Sequence, residues 1–152
     1  MGEFFGSIYC WFEDFFGIEL ANYLWGISTT NQETNMFIGI GLSMTGISLA
    51  IALIYYYVID HPRLNRWWGW GIFLLINCVV NFLVGWQWVL SHYVQDKMFY
   101  IDPVTNMETP LNIYKSDIVC FGVSNMLLSI LAFLIISCII KWRSKNCPYS
   151  PF

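Results

Sequence analysis

Charge is what this chain has least of. Only 11% of its 152 residues are Asp, Glu, Lys or Arg, less than half the share of an ordinary globular domain, about 25%. Three stretches, residues 36–59, 67–90 and 118–140, contain none at all. No Lys or Arg stands in residues 1–35, which excludes the basic, then apolar, then small-residue order of a secretory signal peptide, so this segment is expected to be retained. The net charge of −3 leaves no basic footprint for nucleic acid. There is no phosphate-binding glycine loop, no GxSxG, no HExxH and no paired-histidine metal spacing, and the expectation is a non-enzyme without metal or cofactor.

The five cysteines lack any CxxC or metal-like spacing, so five free thiols are expected, with a Cys10–Cys120 disulfide as the alternative. Cys78 and Cys138 fall inside apolar runs, where a thiol acts as a small hydrophobe. His61 and His92 read as interfacial polar residues, and Asp96 at i+4 from His92 offers a pH-responsive pair.

What is present is apolar length. A membrane-crossing helix needs about 20 mostly apolar residues for a hydrocarbon core roughly 30 Å thick, and each uncharged run meets that requirement. The fold expected is an all-α integral membrane protein forming one membrane domain. Three transmembrane helices occupy residues 36–59, 67–90 and 118–140. An amphipathic N-terminal helix, interfacial or re-entrant, lies in residues 1–35, a small extramembrane loop in 91–117 and a tail in 141–152. The lipid bilayer is the first partner implied.

The N-terminal segment is aromatic yet carries Glu13, Asp14 and Glu19, too many carboxylates for a span. On a helix, Glu3, Ser7, Cys10, Asp14 and Gly17 share one face, while Phe5, Ile8, Phe12, Phe15, Phe16 and Leu20 cover much of the rest. That pattern suits a helix in the interface. The alternative is a re-entrant segment broken near Gly17, tolerated at depth only against protein or water. Thr30 or Asn31 is expected to cap the first span.

Arg63, Arg66, Lys141, Arg143 and Lys145 flank the spans on one side, and Lys97 and Lys115 are the only basic residues on the other. Basic residues near span ends stay in the cytoplasm. The expectation is therefore a bacterial inner (plasma) membrane protein with its N-terminus and 91–117 loop outside and its C-terminus in the cytoplasm. Trp67, Trp68, Trp70, Trp86 and Trp88 read as interface anchors. In the loop, Met98 to Ile101 and Leu111 to Tyr114, separated by turn residues, are expected to pair as a hairpin, with Tyr100, Ile101, Ile113 and Tyr114 packed on the helices.

Polar and small residues inside the spans speak to assembly. Gly39, Ser43, Gly46 and Ala50 form one small-residue stripe of the first span, and Gly41, Thr45, Ser48 and Ala52 the next. Such stripes let membrane helices approach closely. Asn77 and Asn81 lie one turn apart in the second span, and Asn125 and Ser129 in the third. An unpartnered amide in hydrocarbon is costly, so these residues must face protein or water. This leaves two possibilities. Either a homo-oligomer forms or gates a passive pore or ion channel lined by Asn77, Asn81, Asn125 and Ser129, or the asparagines are interhelical glue in a non-conducting structural or regulatory subunit of a larger complex. The loop or the tail is where a protein partner would bind. The layout resembles small bacterial membrane effectors and channel subunits, by plan alone.

Overall fold

The computed structural model describes residues 2–27, 34–58, 67–102 and 104–142, with side chains from Phe4 onward. The turn holding His61, Arg63 and Arg66, the caps expected from Thr30 or Asn31, and the tail beyond Trp142 lie outside these residues. Three helices are long and apolar enough to cross a membrane. They are α4 (Met36–Leu53, continued by a π turn over Ile54–Val58), α5 (Trp67–Val94) and α6 (Lys115–Lys141). At 1.5 Å per residue the 28 residues of α5 reach about 42 Å, and its last turn therefore extends past the apolar run.

Caps explain where the helices begin. Asn35, with extended backbone, accepts the Phe37 N–H on its side-chain oxygen at 3.0 Å, satisfying one of the free amides of the first turn. Asn35→Ala should cost about 1 kcal/mol, read as a lowered thermal midpoint in mild detergent. α6 starts three residues ahead of its apolar run because the Asp117 carboxylate accepts the Tyr114 N–H at 2.9 Å and an acid is favourable in a first turn.

α5 and α6 make the most extensive helix contact, and α4 packs across both. Gly85 makes this approach feasible. A Cβ there would lie 2.8 Å from Asn125 Nδ2, inside any real contact. Toward the end of the bundle away from the loop, Ala52, Tyr55, Tyr56, Phe133 and Ile140 form a separate apolar cluster, with the Trp70 ring on Phe133 at 5.9 Å.

The N-terminal segment is broken rather than continuous. It comprises α1 (Gly2–Tyr9), a 3₁₀ turn (Cys10–Phe12), α2 (Glu13–Phe16) and α3 (Ile18–Trp25). Gly17, at φ 93° and ψ 136°, separates α2 from α3 in a conformation that only glycine adopts without strain. The pieces pack on α4 and α6, burying Tyr9, Phe16, Leu20, Tyr23 and Leu24 in the main core. α1 seats so closely that a methyl on Gly41 would lie 2.2 Å from the Phe5 ring. Phe4, Trp11, Phe15 and Ile18 point outward. Of the residues on the expected apolar face, Phe15 is exposed while Phe16 and Leu20 are buried.

A β-hairpin closes one end of the bundle, the hairpin end. β1 (Phe99–Ile101) pairs antiparallel with β2 (Glu108–Pro110), Tyr100 opposite Thr109. The second strand falls three residues earlier than the apolar pattern suggests, because the turn is tight. Asp102 accepts the Val104 N–H at 2.9 Å and the Thr105 hydroxyl at 2.7 Å, and Asn106 takes a left-handed φ of 52°. Those two bonds hold the Asp102 carboxyl below its ordinary range. Ile113 is buried as expected, whereas Tyr114 is 60% exposed. The carboxylate of Glu19 accepts the Asn112 N–H at 2.7 Å and ties α3 to the loop. Cys10, Cys78, Cys120 and Cys138 are free thiols.

Candidate functional site

The most unusual chemistry in the fold lies halfway along the long helices. Asn77, Asn81, Asn125 and Ser129 are all fully buried and form one connected ladder between α5 and α6. Asn125 Nδ2 donates to the Asn81 carbonyl at 2.7 Å. Asn81 Nδ2 donates to the backbone and side-chain oxygens of Asn77, each at 3.0 Å. Asn77 Nδ2 crosses to the Ser129 carbonyl at 3.1 Å, and the Ser129 hydroxyl closes onto Met126 O at 2.7 Å. The one-turn spacing of both pairs produces this arrangement, since residues four apart share a helix face.

The ladder has a member that sequence reasoning missed. Tyr9, from the broken N-terminal segment, donates its hydroxyl to Asn125 Oδ1, with Met44 Sδ 4.0 Å away. Its ring stacks on Phe37 and Phe121 at 5.0 and 5.6 Å. The available signal was the spacing of Tyr9, Phe16 and Tyr23, seven residues apart, all of them buried. Tyr23 makes a second link of the same kind, its hydroxyl 3.0 Å from His92 Nδ1. His92 is thus engaged by Tyr23.

Two buried polar atoms of this interior have no partner among the described residues, the Ser48 hydroxyl and Asn81 Oδ1. Ser48 lies one turn beyond Met44 on α4, so it stands near the Asn77–Ser129 level of the ladder.

The small-residue stripes divide. Gly41, Ser48 and Ala52 are buried. In the other stripe Gly39 lies under the Trp88 ring, a Cβ there meeting it at 3.4 Å, while nothing comes within 4 Å of a Cβ on Gly46 and Ala50 is exposed. The Ser43 hydroxyl donates back to Gly39 O and Ile40 O at 3.0 and 2.9 Å. Among the expected anchors, Trp67 and Trp68 are well exposed. Trp86 packs on the core, and Trp70 turns inward to donate from Nε1 to Ser137 Oγ at 3.4 Å.

Among the described residues no group of His, Cys, Asp or Glu is arranged to hold a metal ion. The class that fold and site define is a three-helix bundle of membrane-spanning character with an internal amide ladder. No family model matches the chain, and no curated protein or solved structure is significantly similar to it.

Proposed function

We propose that this chain is a non-conducting membrane subunit, structural or regulatory, that works through its surfaces. The observation that carries the reading is the direction of the amides. In a ring of copies the lumen is lined by residues on the outside of each chain, whereas Asn77, Asn81 and Asn125 are fully buried within one. Interhelical bonds of this kind contribute roughly 0.6–2 kcal/mol each, enough to fix one packing of α5 on α6. The hairpin end is proposed to lie outside the cytoplasm, in keeping with the charge distribution. There the N-terminal segment sits in the leaflet with Phe4, Trp11, Phe15 and Ile18 toward lipid, and a protein partner meets the 91–117 loop. Self-association, if it occurs, uses the outward Gly46 and Ala50.

A second reading, the passive pore, is favoured by one feature. The unpartnered Ser48 hydroxyl and Asn81 Oδ1 lie where a hydrated path through the bundle would run. Purified protein in liposomes separates the two. The subunit reading expects no ion flux above empty vesicles, and expects Asn77→Leu with Asn81→Leu to lower the thermal midpoint without touching permeability. Flux that disappears in the double variant while the bundle stays folded overturns it.

A further inference from the structure

An open groove of about 650 Å³ runs along the outward face of α5, lined by Leu83, Val84, Trp86, Gln87, Trp88 and Ser91. Its depth can be read from two contacts. Trp88 lies on Gly39, three residues into α4. Trp86 lies against Gly122, 3.1 Å from where its Cβ would be, and Gly122 is four residues into the third apolar run. The groove therefore sits about one helical turn, roughly 5 Å, inside the start of both runs, where hydrocarbon gives way to headgroups.

Its chemistry is weighted toward donors, since Gln87 brings two N–H groups and one oxygen and each indole brings one N–H. The Gln87 amide is exposed, and neither it nor the two indole N–H groups has a hydrogen-bond partner among the described residues. An indole can only donate, and an amide facing the edge of hydrocarbon without an acceptor is costly. The Ser91 hydroxyl spends its proton on Trp88 O at 2.7 Å. Below this donor cluster the same face continues as Leu83, Val79, Leu75 and Ile72, all exposed.

We propose that the groove seats a phospholipid of the leaflet at the hairpin end. Its ester and phosphate oxygens, which only accept, receive the Gln87 and Trp N–H groups, and an acyl chain lies along Leu83 to Ile72. A two-fold second copy is the poorer occupant. An isologous contact brings the same patch to itself, with twice as many N–H groups as oxygen atoms on each side, whereas a phospholipid supplies acceptors alone.

The test is native mass spectrometry of the full chain in mild detergent, titrated with phosphatidylglycerol. Wild type should hold one lipid through partial activation. Trp88→Phe combined with Gln87→Leu should weaken retention about tenfold, the loss of roughly one good hydrogen bond. Gln87→Lys should strengthen retention and Gln87→Glu weaken it, an ordering by charge that a merely structural role would not produce. Equal retention by all four overturns the proposal, as does a Gln87→Cys variant that cross-links to a dimer in vesicles of phosphatidylglycerol and phosphatidylethanolamine. If the double variant misfolds, the single Lys and Glu exchanges at this exposed position decide.

Discussion

Asn125→Leu should destabilise the bundle by about 2–4 kcal/mol, measured as unfolding in mixed micelles followed by helical circular dichroism. One substitution removes the acceptor for the Tyr9 hydroxyl and the donor to the Asn81 carbonyl. It leaves a phenol in an apolar interior whose hydroxyl has, among the described residues, the weakly accepting Met44 sulfur at 4.0 Å as its one remaining acceptor. A buried group left without its partner costs about 1–3 kcal/mol. The diagnostic arm is Tyr9→Phe. Alone it should also destabilise, because Asn125 Oδ1 then lacks its donor. Combined with Asn125→Leu it should cost nothing further or restore stability, since the orphaned hydroxyl is gone. A coupling of about 1–2 kcal/mol between the two sites is expected. Additive losses would mean that the N-terminal segment and the ladder are energetically separate.

The three long helices were legible because hydrocarbon requires length without charge, and residues 36–59, 67–90 and 118–140 offer nothing else. The helices run Met36–Val58, Trp67–Val94 and Lys115–Lys141. The second and third overrun their apolar runs at the hairpin end, where Ser91 to Val94 and Lys115 to Asp117 supply capping and wet surface that hydropathy does not weigh. The amide pairs were legible from spacing, and so was their need for partners. Which partner was not. Choosing between Ser129 O, Asn81 O and Tyr9 requires the register of α5 against α6, and Gly85 sets that register through a contact invisible in one dimension. Glu13, Asp14 and Glu19 marked the N-terminal segment as a poor span. The break falls at Gly17, where the re-entrant alternative put it, and the burial of Tyr9 and Tyr23 on either side of it is what a helical wheel over one unbroken helix does not give. Gln87 carried no signal in the sequence beyond being polar near a run's end, and only the outward face of α5 gives it meaning.

Two glycines of the long helices should respond very unequally to the same exchange. Gly85→Val is expected to cost about 3–4 kcal/mol or to prevent assembly, combining an overpacking penalty with the loss of interhelical bonds. The Cβ alone would stand 2.8 Å from Asn125 Nδ2 and 3.0 Å from its Cβ. That amide cannot swing aside, being held by Asn81 O and Tyr9, so α5 and α6 must part and both the Asn125–Asn81 and Asn77–Ser129 bridges stretch. Gly46→Val has open space around it and should stay within about 0.5 kcal/mol of wild type in a monomeric micelle. The contrast also reports on assembly. If Gly46→Val leaves the isolated chain stable yet abolishes an oligomer seen in vesicles, the outward stripe of α4 is where copies meet. If it unfolds the monomer while Gly85→Val does not, the close packing of α5 against α6 at Gly85 is wrong.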